Sequence, residues 1–484
     1  MTDPGETLLG LISISLVGGV IGRGLIYLLN FIIANGLGPE AVGVFAFGTV
    51  LMNFGSVLAK AGLDGAVGKL VPVYENDGAD PLVTGTLVFA FASVAAVGTV
   101  VAAGILLVAR ADIGLLSPTT TGLTLFAISV PIVAMLRVGT RASQAFKETK
   151  YAAITKDLIQ PTMAILAAAI GGYVVVDVQF VIAGYVASFL VGVLAITYFL
   201  QRQGAFTGRS GLTVDIRRIS RLSPPLFLAN VSRYLTFWTD VLMLGIFVPA
   251  AALGTYQIAY QTSVILTFLL LATNSLFPAL VAGHYDEGNM ERLREIYSVV
   301  TKWLVLTAGF GYAFVVIYSR EILGLFGSEF VAAVVPLWVL LTAQLLSVGV
   351  GPAGFLLTMS EYERLEMANA AVVALLNLAL NYVFIQRIGI VGAAIATAVS
   401  ITMLNVARLA QVRYFLGLHP YSRRYLPGGA VVVTSAVVTW LARGVPVSDQ
   451  WSIVLGALVS GCTFVAGIRL VGLHPEDRVL LSSV

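Results

Sequence analysis

The stretch SLVGGVIGRGLIYLLNFIIA, from Ser15 to Ala34, decides the fold class of this chain. It has the length of about 20 apolar residues that a helix needs to cross the hydrocarbon of a bilayer. Arg23 lies near its middle, where a guanidinium would have no water around it. A charge at such a depth costs about 2.5–3.5 kcal/mol on insertion scales, so it should face a partner or a wet cavity. The stretch therefore predicts a membrane helix whose arginine needs an explanation.

The composition of the whole chain is that of a membrane protein. Of 484 residues, 58% are hydrophobic and 11% are charged, against roughly 25% charged residues in soluble domains. The mean hydropathy is +0.93, and the core of a soluble protein could not bury so many apolar residues. The single cysteine, Cys462, excludes an intramolecular disulfide and a cysteine metal cluster, and the three histidines lie far apart, so neither a metal nor a cofactor is predicted. The first residues lack a basic segment and a cleavage site, so we expect the first span to be retained.

The same length criterion predicts fourteen membrane-spanning helices. Strands of a membrane barrel would show alternating segments of about ten residues, whereas runs such as ASVAAVGTVVAAGILLVA are apolar on every side. The predicted spans are residues 8–34, 44–70, 82–109, 123–144, 151–176, 180–200, 223–248, 254–282, 300–318, 331–358, 364–386, 388–416, 426–443 and 450–471.

The lysines and arginines of the connections set the predicted orientation. The side that holds the N-terminal tail carries 18 of them, and the opposite side carries 4. Both termini are therefore predicted to be cytoplasmic in a multi-pass protein of the plasma membrane. Arginine outnumbers lysine 22 to 6, which suggests a GC-rich prokaryote.

Two halves of the chain repeat at an offset of 211 residues, with anchors at the same kind of helix boundary. Six crossings separate the copies, so they insert the same way up and predict parallel lobes related by an axis along the membrane normal. The predicted fold is an all-α integral membrane protein of two six-helix lobes around a central cavity, plus a C-terminal helix pair. Residues 201–222 are either an interfacial amphipathic helix or a plain basic linker. The anchors of the repeat are Gly43 with Gly254, Tyr74 with Tyr285, and Tyr151 with Tyr362. The predicted divisions of the chain are the first lobe at 1–200, the linker at 201–222, the second lobe at 223–416, and the C-terminal helix pair with the tail at 417–484.

Helical spacing places further polar residues on the face of span 1 that carries Arg23. Tyr27 and Asn30 follow it at i+4 and i+7, which makes one cavity-facing polar stripe. In the seventh span, Arg233 and Asp240 are again seven residues apart, and they match the pair in span 1 at an offset of 210. Matched helices beside a pseudo-two-fold axis would turn both arginines into one cleft, where they would bind an anionic ligand. The alternative is that Arg23 packs between helices and donates to carbonyl oxygens of a neighbour.

Three further cations within spans join the predicted phosphate site: Arg137, Lys60 and Arg408. Lys60 and Asp64 are four residues apart and are alternatively a pair that neutralises itself. Six cations against three carboxylates leave the interior of the spans positive. Such an interior attracts phosphate, which arginine binds in a bidentate fashion. Three carboxylates are candidates for binding a coupling proton or sodium ion: Asp240, Asp64 and Asp157.

Two other polar features have plainer explanations. Lys156 and Asp157 lie in the first turns of span 5, where the lysine alternatively snorkels to the inner interface. Asn369, Asn377 and Asn381 form a polar stripe on span 11, for which we expect hydrogen bonds between helices rather than a site.

Three segments resemble the polysaccharide-transport flippases, the Wzx-like members of the multidrug/oligosaccharidyl-lipid/polysaccharide exporter superfamily. They are LGPEAVGVFAF (Leu37–Phe47), LAKAGLDGAVGKLVPVY (Leu58–Tyr74) and DVLMLGIFVPAAALGTYQIAY (Asp240–Tyr260). The resemblance runs from span 1 through span 12, and fourteen spans also suit that branch. This chain departs from it at Asn35, where the family usually has a basic residue. The resemblance to lipid II flippases, a sister branch, implies that Arg23 is a cavity arginine.

The resemblance implies a flippase that moves an oligosaccharide on a polyprenyl phosphate or pyrophosphate carrier from the inner to the outer leaflet by alternating access. We expect coupling to protons, sodium ions or the membrane potential, contacts with membrane lipids and glycan-assembly enzymes, a monomer, and no nucleic-acid partner. The alternative is a cation-coupled multidrug antiporter of the same superfamily. It would have carboxylates rather than arginines on the cleft faces of spans 1 and 2, and span 1 has none. A membrane glycosyltransferase is not expected, because the external connections are short and hold no carboxylate pair.

Overall fold

The computed structural model of the chain describes residues 4–110, 120–206, 212–360 and 362–472. Within these ranges the regular structure is helical, as lipid requires, because a helix satisfies its own backbone hydrogen bonds. Residues 207–211 of the predicted linker and the tail after residue 472 lie outside the described residues. The α-helices are α1 (Pro4–Lys60), α2 (Leu63–Asn76), α3 (Asp80–Arg110), α4 (Thr120–Ala145), α5 (Thr149–Ala153), α6 (Gln160–Ile170), α7 (Val178–Arg202), α8 (Ile216–Phe247), α9 (Ala250–Val264), α10 (Phe268–Asp286), α11 (Met290–Ile317), α12 (Ser319–Gly324), α13 (Val334–Gly349), α14 (Ala353–Met359), α15 (Glu363–Leu416), α16 (Tyr425–Arg443) and α17 (Asp449–Val471). Two π-helical turns, Ile154–Ile159 and Gly171–Val175, and two 3-10 turns, Ile265–Thr267 and Ser328–Ala333, complete the helical structure.

Eleven of the described helical segments are long and apolar enough to cross a membrane. Two of them bend sharply. In α1 the bend is at Gly38, whose φ of 79° is cheap only for glycine, and in α15 it is at Ile388 and Gly389. The 32-residue α8 is long enough but too polar to be counted among the eleven. If each bent helix crosses twice and α8 crosses once, the total is fourteen; that number stays a prediction.

Side chains cap the starts of α8 and α11. Asp215 accepts a hydrogen bond from the Arg218 amide (3.0 Å) before α8, and Asn289 accepts one from the Arg292 amide (3.1 Å) before α11. Each cap satisfies one of the amide groups that a helix start leaves without a partner. The basic segment at the end of the predicted linker is thus the first part of α8 and is continuous with the seventh predicted span.

The chain divides into two compact units, Met1–Gly254 and Thr255–Val484, here called the N-terminal and C-terminal units. In the N-terminal unit, α4 packs against α1, α2, α3 and α7. The rings of Phe45, Phe126 and Tyr185 meet edge to face at centroid distances of 4.8 to 6.4 Å, which ties three of these helices together.

The C-terminal unit has its own core around α11. Phe277, Tyr297 and Leu357 are buried in it. The last two helices, α16 and α17, pack on each other, and both contact α11. Phe310 of α11 stacks on Phe464 of α17, with ring centroids 4.6 Å apart.

Both halves of the sequence repeat have the same local structure at one of the matched connections. Gly78, between α2 and α3, has a φ of 66°, and Gly288, between α10 and α11, has a φ of 70°. Their numbers differ by 210. In each connection a helix ends, one glycine takes the left-handed conformation, and the next helix begins two residues later.

A second pair of matched glycines makes a reciprocal contact inside the N-terminal unit. A Cβ built on Gly43 would lie 1.8 Å from the Ala250 carbonyl oxygen, and one built on Gly254 would lie 1.9 Å from the Pro39 carbonyl oxygen. Gly43 matches Gly254, and Pro39 matches Ala250, at the offset of 211. Gly43 of the first copy therefore contacts Ala250 of the second, and Gly254 of the second contacts Pro39 of the first. Elements related by a pseudo-two-fold axis would make such a reciprocal contact.

Candidate anion-binding site

Three of the five cations predicted to bind phosphate come together in the N-terminal unit. The Lys60 ammonium lies within electrostatic range of the guanidinium groups of Arg137 and Arg233. The three side chains come from α1, α4 and α8. We call these three residues, together with Asp64, the cationic cluster. With one carboxylate against three cations, the cluster has two positive charges in excess.

Lys60 and Asp64 form an ion pair, as one reading of the sequence predicts. Their Nζ and Oδ2 atoms are 2.6 Å apart, and the side chains are 11% and 18% exposed. The break between α1 and α2 brings the two groups together, because Ala61 and Gly62 both have positive φ. The Asp64 Oδ1 atom also accepts a hydrogen bond from the Gly65 amide (3.0 Å). The pair is therefore neutral as a unit, and the excess charge of the cluster belongs to the two arginines.

Arg137 is the cation of the cluster with the fewest partners. Its neighbours Leu136 and Val138 are buried, whereas Arg137 itself is exposed. Across the described ranges, its guanidinium forms neither a hydrogen bond nor an ion pair. Tyr185 and Tyr234 lie within electrostatic range of it. A guanidinium has five N–H donors in a fixed fork, so Arg137 is available to bind an anion at two points.

Arg233 is exposed on α8 and has a neutral partner. Its Nη2 atom donates to the Asn230 Oδ1 atom at 2.9 Å, which orients the guanidinium without neutralising it. The Tyr234 hydroxyl donates to the Val50 carbonyl oxygen at 2.7 Å and so ties α8 to α1.

Glycines next to the cluster let α8 approach the end of α1. A Cβ built on Gly62 would lie 2.1 Å from the Ser223 carbonyl oxygen, and one built on Gly65 would lie 2.8 Å from the side chain of Leu226. Small residues permit this close packing of helices in a membrane. The approach brings Arg233 to the vicinity of Lys60.

The predicted polar stripe of span 1 runs along one helical segment of α1, but its members differ in exposure. Arg23 is exposed and Tyr27 is half-buried. Asn30 is 3% exposed, and its amide donates to the Ile26 carbonyl oxygen of its own helix at 2.9 Å. Arg23 as a phosphate ligand and Tyr27 and Asn30 as cavity residues stay predictions.

The two remaining predicted carboxylates have local partners. Asp157 lies in the π-helical turn of the fifth span, 3.7 Å from the Lys156 ammonium. A Cβ built on Gly22 would lie 3.3 Å from its Oδ1 atom, so Asp157 packs against span 1 next to Arg23. Asp240 is 4% exposed, and its Oδ1 atom accepts a hydrogen bond from the Val241 amide.

Arg408 belongs to a different arrangement, in the C-terminal unit. Its Nε atom donates to both carboxylate oxygens of Glu366, at 3.0 and 3.1 Å, and its Nη2 atom contacts the same carboxylate. This fork-to-fork pair uses the donors that a phosphate would need. In this structure Arg408 holds together the two arms of α15, and its role as a phosphate ligand stays a prediction.

The asparagine stripe of span 11 forms the hydrogen bonds between helices that the sequence predicts. Asn369 and Gln411 exchange two amide hydrogen bonds, at 2.7 and 3.0 Å. Asn377 donates to the Ser400 hydroxyl at 3.2 Å, across to the other arm of α15. Asn381 donates to Asn377 within its own helix and supports that bond. This prediction is confirmed.

Sequence reasoning missed Glu366, and it missed Asn230, Tyr185 and Tyr234 around the cationic cluster. Glu366 was overlooked because it lies in the first turn of a span, where a charge is expected in any case. A signal existed, because the polar pairs of α15 lie nearly symmetrically about its bend at Ile388 and Gly389. Asn230 also had a signal, since it is three residues before Arg233 on the same helix face. Nothing in the sequence links the tyrosines to Arg137, because they lie on other helices.

Among the described residues, no three histidine, cysteine, aspartate or glutamate side chains lie close enough together to bind a metal ion.

Two family models match the chain. The polysaccharide biosynthesis protein model matches residues 9–284, and the MatE model matches residues 225–383.

Two relatives come from Haloferax volcanii. A probable low-salt glycan biosynthesis flippase, Agl15, is 27% identical over 209 residues, which are 42% of this chain and 43% of the relative. A probable flippase, AglR, is 25% identical over 248 residues, which are 49% of this chain and 51% of the relative. The chain thus spans about half the length of the curated relatives it matches.

The fold also matches a solved structure over nearly its whole length. The lipid II flippase MurJ in its inward closed conformation superimposes with a TM-score of 0.74, covering 98% of this chain and 99% of MurJ. The two sequences are 12% identical over this alignment, so the likeness is one of fold.

Proposed function

Because the chain belongs to the polysaccharide biosynthesis protein family, whose model covers residues 9–284, we propose that it is a flippase for a lipid-linked oligosaccharide. It moves its cargo from the inner to the outer leaflet of the cytoplasmic membrane by alternating access. The cargo is carried on a polyprenyl phosphate or pyrophosphate. The protein is a transporter of the multidrug/oligosaccharidyl-lipid/polysaccharide exporter superfamily and not an enzyme.

The observation that carries this proposal is the cationic cluster, and within it the unpaired guanidinium of Arg137. A charge in a membrane protein is costly, so it is expected to serve a partner or a wet path. Arg137 and Arg233 supply two positive charges that no carboxylate neutralises within the described ranges. A phosphate or pyrophosphate would supply the missing negative charge.

In the proposed mechanism, the head group and sugars enter from the cytoplasm while the polyprenyl tail stays in lipid. Arg137 binds the phosphate with its free donors, and Arg233, oriented by Asn230, adds the second charge. Lys60 joins when its pair with Asp64 opens. Arg23 extends the positive path along span 1.

The wider architecture belongs to the same proposal. The chain crosses the membrane fourteen times, as two parallel lobes, 1–200 and 223–416, joined by the linker 201–222 and followed by the helix pair of 417–484. Both termini are cytoplasmic in a prokaryotic plasma membrane, and the protein acts as a monomer beside glycan-assembly enzymes. A proton or sodium ion at Asp240, Asp64 or Asp157, or the membrane potential, drives transport, since moving one charge is worth about 2.3 kcal/mol per 100 mV.

The test is transport by purified protein in proteoliposomes. A lipid-linked oligosaccharide with a fluorescent sugar is loaded in one leaflet, and its arrival in the other is scored with a membrane-impermeant glycosidase. Arg137→Gln and Arg233→Gln each remove a charge-assisted contact worth about 1.5–3 kcal/mol, so we expect each to slow transport about tenfold or more.

Arg141→Gln is the matched control, because Arg141 lies one turn further along α4 and donates to Gln144 at 3.1 Å. It removes the same charge from the same helix but not from the cluster, and we expect nearly normal transport. Normal rates for Arg137→Gln and Arg233→Gln would refute the proposal.

The match of the MatE model to residues 225–383 favours a second candidate, a cation-coupled multidrug antiporter. A cationic drug would be repelled by the cluster, so neutralising Arg137 would speed drug efflux rather than abolish it. Drug-resistance assays in cells that express the wild type and Arg137→Gln separate the two functions.

A further inference from the structure

The start of α8 carries a basic surface that is separate from the cationic cluster. Residues 212–222 contain three arginines and one aspartate, which leaves two positive charges in excess. Arg218 has a carboxylate partner, since its Nε atom lies 3.7 Å from the Asp215 Oδ2 atom. Arg217 and Arg221 are exposed. Within the described residues, their guanidinium groups form neither a hydrogen bond nor an ion pair, so the excess charge belongs to these two arginines.

The chain around the two arginines is held in place. The Thr213 amide donates to the Pro81 carbonyl oxygen at 3.4 Å, and a Cβ built on Gly85 would lie 2.0 Å from the Thr213 carbonyl oxygen. The segment before α8 therefore packs on the start of α3. Asp215 caps α8, and Ile219, in its first turns, is buried at 4% exposure. A surface held in this way needs little ordering when a ligand binds.

An exposed apolar stripe continues from the two arginines along the same face of α8. Arg217, Arg221, Pro224 and Leu228 follow one another at i, i+4, i+7 and i+11, which places them on one side of the helix. All four are exposed, and so is Leu235, two turns after Leu228. The exposed fraction of Leu228 is 65%. The order of charge first and apolar surface next is also the order of a phospholipid, from its headgroup to its acyl chains.

The stripe and the cationic cluster occupy different parts of α8. The opposite face, with Ile219, Ser223 and Leu226, makes the close contacts to the end of α1 and the start of α2. Arg233 of the cluster follows Arg221 by 12 residues, which is about 18 Å along the helix and about 120° around it. A ligand of the stripe therefore does not share the cluster.

Two apolar side chains beside the arginines indicate a membrane interface rather than water. Leu212 and Ile216 are 56% and 60% exposed. Exposed aliphatic side chains next to arginines are typical of a segment at the boundary between headgroups and acyl chains. The charge asymmetry of the connections assigns this segment to the cytoplasmic side, where the leaflet carries a negative surface potential. A plain basic linker would need neither these side chains nor the stripe.

We propose that Arg217 and Arg221 bind the headgroup of an anionic phospholipid of the inner leaflet, with an acyl chain along Pro224 and Leu228. The phosphodiester offers oxygen atoms to both guanidinium forks, and its charge complements the excess charge of the surface. A zwitterionic phospholipid carries a cation beside its phosphate and so binds more weakly. The bound lipid holds the start of α8 at the inner surface. This inference goes beyond the proposed function and does not depend on the transported cargo.

The test titrates lipids onto the purified full chain in detergent, with bound lipid counted by native mass spectrometry. The probes are phosphatidylglycerol and phosphatidylcholine with the same acyl chains, at constant ionic strength. The background is Arg137→Gln/Arg233→Gln, so that the cationic cluster does not contribute. Arg217→Gln/Arg221→Gln and, separately, Arg218→Gln are added to it.

We expect the background protein to bind phosphatidylglycerol more tightly than phosphatidylcholine. One basic residue at an anionic surface is worth about fivefold in affinity, so Arg217→Gln/Arg221→Gln should weaken phosphatidylglycerol about twentyfold and leave phosphatidylcholine unchanged. Arg218→Gln is the matched control, because it removes a charge of the same turn that Asp215 already neutralises. It should weaken phosphatidylglycerol by less than about twofold.

Three results would overturn the proposal. The first is equal affinity of the background protein for the two lipids, and the second is an equal loss in Arg218→Gln and Arg217→Gln/Arg221→Gln. The third is a loss of polyprenyl pyrophosphate binding when Arg217→Gln/Arg221→Gln is made in the otherwise wild-type chain, because the arginines would then serve the cargo. The single variants Arg217→Gln and Arg221→Gln are measured in parallel, so that a double variant that fails to fold still leaves a decisive comparison.

Discussion

Arg137 and Arg408 both lie within predicted spans, yet their guanidinium groups have opposite surroundings. Arg408 is matched atom for atom by the Glu366 carboxylate, and the side chains of this pair are 24% and 17% exposed. Arg137 has no such acceptor in the described part of the chain. The ion pair of Arg408 should contribute to stability, whereas Arg137 is the residue for which we propose a role in binding the cargo.

This contrast predicts different effects on stability. Removing one partner of a buried ion pair costs about 3–5 kcal/mol, and partial exposure reduces this to about 2 kcal/mol for Glu366→Gln. Glu366→Gln/Arg408→Gln should recover part of the loss, because it leaves no unpaired charge. Arg137→Gln should cost nothing or stabilise the protein. Chemical unfolding of the four purified proteins in detergent checks this, and an equal loss for Arg137→Gln and Glu366→Gln would show that Arg137 is a structural residue.

The elements show where sequence reasoning succeeds and where it stops. Hydropathy predicts the helices well, because length and apolarity are local properties. The bend of α15 at Ile388 and Gly389 also falls where the sequence separates spans 11 and 12. The π-helical turn at Ile154–Ile159 was not predicted, because it depends on packing against other helices rather than on its own residues. The sequence did predict Lys60, Arg137 and Arg233 as members of one site, because they are charges within spans. It did not predict which of the five cations meet, because that depends on tertiary contacts.

The reciprocal glycine contact gives a prediction at the level of elements. Gly43→Ala and Gly254→Ala each place a methyl group within 2 Å of a backbone oxygen, at 1.8 and 1.9 Å. Overpacking of this kind costs about 1–3 kcal/mol, so both variants should unfold more easily and transport more slowly.

Gly104→Ala is the control for these variants. Gly104 lies in α3 with no atom within 4 Å of its built Cβ. Alanine is a better helix former there by about 0.5–1 kcal/mol, so its effect on stability should have the opposite sign. If Gly43→Ala, Gly254→Ala and Gly104→Ala change the melting temperature alike, Gly43 and Gly254 do not make the close backbone contacts described above.

At the level of the whole molecule, the repeat and the charge asymmetry make a prediction about sidedness. Asp77 and Glu287 are exposed and lie at matched positions of the two copies, so single cysteines there should both be labelled from the cytoplasmic side. Ser448→Cys, next to the start of α17, should be labelled from the other side. The background is Cys462→Ser, because the native cysteine is exposed. Labelling of Asp77→Cys and Glu287→Cys from opposite sides would exclude parallel repeats.

Phosphate capture by the cationic cluster is tested most directly by binding. The ligand is a polyprenyl pyrophosphate without sugars, measured on the purified full chain by native mass spectrometry, with the corresponding polyprenol as the uncharged control. We expect Arg137→Gln/Arg233→Gln to weaken the pyrophosphate lipid about a hundredfold, at about 1.5 kcal/mol for each lost contact, and to leave the polyprenol unaffected. Arg141→Gln should bind both lipids like the wild type. Equal pyrophosphate affinity in Arg137→Gln/Arg233→Gln and Arg141→Gln would contradict the role of the cluster.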